Sequence, residues 1–155
     1  MLIAVAAAGV LTLTAACDAH SPKEQASRES KAATVQVFKL HMMKDLWSRT
    51  CHDHYYNGYR QINKPKSLVE DSATNMVTIE LTGAQMADYL QILDYNAHGG
   101  SDALDPPLAT AVYDAVSPVV DKIQAPPAPD APAPEITITA AVSLTATTVV
   151  TSAPR

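Results

Sequence analysis

The residue types richest in chemistry fall in one stretch, Cys51-His52-Asp53-His54. A thiolate beside imidazoles is a donor set that suits zinc or copper, so Cys51, His52 and His54 are candidate metal ligands. Their spacing is tighter than that of most structural zinc patterns, and along a continuous helix His41 would lie about 16 Å away, out of reach of the same ion. A polar loop that happens to carry histidines is the other reading these residues leave open. Tyr55, Tyr56 and Tyr59 follow at once, three of the six tyrosines. Their amphipathic rings can stack on a glycan, meet an envelope protein or cover a core. Catalysis needs a nucleophile tied to a base, paired carboxylates or a Gly-rich phosphate loop, and no local motif supplies one. Gly99-Gly100 reads as a helix stop. The expectation is a chain that is not an enzyme and carries no cofactor.

The N-terminal residues concern destination. Leu2 to Ala16 run without a charge and end in small residues, the shape of a secretory signal, and at the helical rise they span only about 22 Å, short for a membrane helix. The run closes in Leu13-Thr14-Ala15-Ala16-Cys17, which resembles the lipobox of bacterial lipoprotein precursors. The resemblance implies cleavage before Cys17, acylation of its thiol, and a mature protein held to the cell membrane or envelope by a lipid anchor. Ordinary cleavage after Ala16 would instead give a secreted protein, with Cys17 to Cys51 the one disulfide the composition allows.

Five segments follow: a signal peptide at 1–16, a polar tether at 17–33, a globular domain at 34–124, a Pro/Ala-rich spacer at 125–134 and a Thr/Val/Ala-rich tail at 135–155. Ser21-Pro22-Lys23-Glu24 fits a capping box and places a helix onset near Pro22. Apolar residues at 35, 38, 42 and 46, with a second row at 40, 43 and 47, predict a core helix; a strand over Thr34 to His41 is the competing reading, since Val35 and Val37 alternate, but the alternation fails at Phe38. The stretch 51–74 has no period and reads as an irregular loop. Met76 to Leu81 suits a short strand feeding a helix capped by Thr82 and Gln85 and stopped at Gly99. Asp105-Pro106-Pro107 opens a further helix with Leu108, Val112, Val116 and Ile123 on one face and a kink expected at Pro118. Beyond the spacer, even positions 136 to 150 are nearly all apolar and odd ones mostly Thr or Ser, a strand period. That tail fits an edge strand beside Met76 to Leu81, a strand for a partner, or an unpaired stalk. The fold class is α+β and mainly helical, with about three helices and one short strand.

Charge is split along the chain. Residues 19–66 hold nine Lys or Arg against four Asp or Glu, net +5, and residues 67–135 hold one Lys against eleven acids, net −10. A total of −5 argues against a general nucleic-acid binder. The split has two explanations: basic and acidic elements pack on one another, or Lys23, Arg28 and Lys31 lie near an anionic membrane.

Overall fold

The computed structural model describes residues 20–54, 58–99, 101–124, 127–128 and 131–139. Along Val37–Met43 (β1) the side chains alternate, with Phe38, Leu40 and Met42 buried and Val37, Lys39 and His41 half-buried. The core helix expected over this stretch is therefore replaced by a strand. Phe38 and Met42 satisfy a period of 3.6 and a period of 2 alike, so the local pattern is ambiguous. The decision is made from afar: all seven residues pair antiparallel with Met76–Thr82 (β5), from Val37 opposite Thr82 to Met43 opposite Met76. Helix is confined to Lys44–Thr50 (α2), which delivers Leu46 and Trp47 to the core.

Four further strands are His52–Asp53 (β2), Arg60–Gln61 (β3), Ser67–Asp71 (β4) and Glu135–Thr137 (β6). β4 pairs antiparallel with β5, and β6 runs parallel to β1, which makes a mixed sheet of order β4-β5-β1-β6. β2 and β3 form a separate two-stranded ribbon. The strand beyond the spacer thus lies against β1 and not against β5. Ile136, and Ile138 just past the strand, belong to the core, at 3% and 2% exposed.

One face of the sheet is covered by the helices Gln25–Ala33 (α1), Gly83–His98 (α3) and Pro106–Asp121 (α4). The capping box expected at α3 is present, with Thr82 Oγ1 accepting from the Gln85 backbone and the Gln85 side chain accepting from the Thr82 N–H. The one expected at Ser21 is not: its hydroxyl donates to Asp94 Oδ2 at 2.5 Å, and α1 starts only at Gln25. α1 lies antiparallel to α3, since Ser21 meets Asp94 near the end of α3 while the Ala32 and Val35 carbonyl oxygens cross over its first residue, Gly83. A Cβ at Gly83 would stand 2.2 Å from the Val35 oxygen, so only glycine permits this crossing. α4 is helical through Pro118.

The mainly helical fold with three helices and one strand is corrected accordingly. The described residues form an α+β domain of four helices and six strands, 43% helix and 23% strand. The packed unit also reaches past 34–124 at both ends, through α1, whose Gln25 and Ala32 are buried, and through β6. Pro134 accepts from the Lys39 N–H, and a cavity of about 510 Å³ lies between the returning spacer and Val35, Val37 and Ile123.

Candidate functional site

The ribbon β2–β3 carries most of the residues singled out by their chemistry. Its base is closed by the Ile62 N–H donating to the Cys51 carbonyl, and Asn96 on α3 donates its amide to the His52 carbonyl at 2.9 Å. Between these fixed points Asp53, opposite Arg60 in the ladder, is 0% exposed and takes three hydrogen bonds from the Arg60 guanidinium. A buried carboxylate requires such a partner, because an unpaired charge there would lose its hydration with no return. Arg60 reaches on to Gln91 Oε1 at 3.3 Å and lies 5.9 Å from the Tyr95 ring centre, so the ribbon is fastened to α3 across about one turn.

On the outward side Tyr59 is 56% exposed, and its ring meets those of His52 at 5.4 Å and His54 at 5.7 Å between centres. Tyr55 and Tyr56 lie outside the described residues, as does Cys17. Of the candidate metal ligands, Cys51 Sγ and His52 Nδ1 meet at 4.0 Å, but they are not gathered into a set of three. Cys51 is a free, buried thiol, its titration pushed up by burial against a hydrogen bond from Gln61, so it is held as thiol and not thiolate. Asp53 is committed to Arg60, and among the described residues no group of three or more His, Cys, Asp or Glu is arranged to hold a metal ion.

Sequence reasoning missed Arg60 and Asn96, which hold the ribbon in place. The available signal was a pair of opposite charges, Asp53 and Arg60, flanking the turn dipeptide Asn57-Gly58. Asn96 had no such signal, since its role depends on where the His52 carbonyl arrives. Asp94 on α3 is buried, accepts from Ser21 and lies 2.7 Å from His98 Nδ1. Serine, histidine and aspartate thus meet, but the carboxylate stands between the other two. The imidazole is spent on Asp94 and does not face the serine hydroxyl as a base would.

No protein-family model, curated protein or solved structure matches the chain.

The charge split has a structural counterpart. Five ion pairs join the basic segment to the acidic one: Arg28–Asp121, Lys39–Glu135, Lys44–Glu70, Arg49–Asp105 and Lys66–Glu80. Arg28 also donates to the Tyr113 hydroxyl, Tyr113 to Gln25, and Lys31 to the Asp121 carbonyl. Arg28 holds Asp121 below the usual carboxylate range, while burial pushes the Tyr113 phenol up. Arg28 and Lys31 therefore belong to the packing of α1 on α4. No helix among the described residues is long and apolar enough to cross a membrane.

Proposed function

We propose that the chain is an exported envelope protein, anchored by lipid at Cys17, whose domain is a binding module without catalytic activity. The observation that carries the binding surface is Tyr59: an aromatic ring more than half exposed, framed by two imidazoles, on a ribbon fixed by a buried ion pair. A rigid tyrosine loses little conformational entropy when it docks and offers both an apolar face and a hydroxyl. The acidic segment is a weaker candidate surface because five of its carboxylates face basic partners within the domain. Anchoring is supported by the uncharged run that ends on Cys17.

The experiment pairs two variants of the full chain in a bacterial host. Cys17→Ser should leave an uncut precursor or release the protein from membranes, and unchanged processing and fractionation would rule out acylation. Tyr59→Ala should keep the fold, measured by circular dichroism, while reducing crosslinking to envelope components. Crosslinking as strong as that of the parent would remove Tyr59 from the binding surface.

A further inference from the structure

The end of α3 fixes two things at once, the point where the anchored segment joins the fold and the ribbon that presents Tyr59. His20 lies against Gly99, with its Nδ1 3.2 Å from where a Cβ would stand, and Ser21 is bonded to Asp94. Two residues along the same helix, Asn96 holds the His52 carbonyl and accepts from the Leu104 N–H, which fastens the lead-in to α4 as well.

From Cys17 to Ser21 there are four residue steps, a reach of at most about 14 Å even when fully extended. α3 spans 16 residues, about 24 Å. An acyl group on Cys17 therefore keeps the last turns of α3 within reach of the bilayer and leaves the opposite end free to stand up to about 24 Å farther off. That opposite end carries Gly83, the last residue of α4 and the 510 Å³ cavity.

We infer that Tyr59, with His52 and His54, faces the membrane that carries the anchor, and that the ligand of the ribbon is the lipid headgroup interface. This rests on the anchored reading given above. A tyrosine ring is suited to that zone, where its apolar body and polar hydroxyl are both accommodated. At this end the carboxylates of Asp53 and Asp105 are offset by Arg60 and Arg49, while Asp94 faces the His98 imidazole, which offsets its charge only when protonated. Asp102 is exposed on the connecting loop, and Lys23, exposed just past Ser21, is paired with Glu24 at 3.6 Å.

The test uses full-length protein matured in a bacterial host, with mass spectrometry of the Cys17 peptide establishing the acyl group first. An environment-sensitive fluorophore is then placed on Tyr59→Cys or, at the far end, on Lys122→Cys. The buried Cys51 thiol should stay unlabelled, which the unsubstituted protein checks. The proteins are reconstituted in vesicles of phosphatidylethanolamine and phosphatidylglycerol in equal parts, carrying a headgroup nitroxide quencher. Quenching at position 59 should exceed that at 122 by about threefold or more, as expected of an interfacial residue against a distal one. Equal quenching, or stronger quenching at 122, overturns the orientation while leaving the acylated anchor in place. A Cys17 peptide of unmodified mass overturns the anchored reading and this inference with it, so the two failures are told apart. In intact cells a photo-crosslinker at position 59 should capture lipid, and adducts that are mainly protein or glycan would assign the ribbon to an envelope partner instead.

Discussion

The two edges of the sheet differ in the opposite sense from their lengths. β4 is a five-residue strand whose Leu68 and Val69 are 40% and 62% exposed, and it lies beside β5 with few side chains under the helices. β6 is three residues long, yet Ile136 and Ile138 are buried in the core, and the Ile138 N–H closes on the His41 carbonyl at 2.8 Å. Backbone pairing alone adds little, because the same groups bond to water when unpaired. Removal of apolar area from water is what makes an edge contribute. β4 carries the marks of a guarded edge, with Glu70 on it paired to Lys44 and Lys66 just before it paired to Glu80, whereas β6 is a closing piece of the core.

The largest effect should come from deleting residues 125–155. Two buried isoleucines at about 2–5 kcal/mol each put the expected loss above about 4 kcal/mol, read from the denaturation midpoint in urea. A midpoint equal to that of the intact chain would show that β6 does not hold the core and would dissolve the contrast between the edges.

The ribbon sharpens the contrast, being shorter still but built on a buried charge. Arg60→Met leaves the Asp53 carboxylate buried without its partner and should cost about 3 kcal/mol, with part regained when Asp53→Asn is added. If the single substitution costs less than about 1 kcal/mol, as an exposed pair would, the ribbon is not held by this pair.

A partly exposed pair such as Arg28–Asp121 should show itself through pH instead. Asp121 is depressed by Arg28, so its contribution is present above the ordinary carboxylate value, about 3.9, and is lost as pH falls through the lower folded value. Unfolding curves taken from about pH 5 to about pH 2 should therefore fall less steeply in Arg28→Gln than in the parent. Equal slopes would mean that the pair seen between α1 and α4 does not survive in solution.

The smallest effect belongs to β4. Val69→Thr should change stability by no more than about 0.5 kcal/mol, since the side chain is already in water. A loss as large as that of Ile136→Ala would erase the difference between the two edges.

What was legible in the sequence was local. Thr82 and Gln85 are three apart, and a hydroxyl at that spacing from a glutamine forms the same reciprocal cap in almost any context. Gly99 ends α3 because its φ of 146° is open to glycine at little strain. The period of α4 was likewise readable, because 16 residues repeat it often enough to exclude a strand. β4 was not, since Ser67 to Asp71 shows no alternation, and none is required of a strand that has water on both faces.

The candidate site divides in the same way. Residue types alone marked Cys51, His52, His54 and Tyr59, but type does not decide direction. Tertiary structure turned Cys51 inward, committed Asp53 to Arg60 and left Tyr59 outside with an imidazole on each of two contacts. By itself the sequence determined the caps, the long helices, the charge split and the run ending on Cys17, all set by neighbours within a few turns of chain. Only tertiary structure decided that Val37–Met43 is a strand, that Ile136 and Ile138 complete the core, and that the N-terminal segment and the ribbon meet at one end of α3. Each of those depends on partners dozens of residues away, and the free energy that selects them is the burial of surfaces that do not exist until the chain has closed on itself.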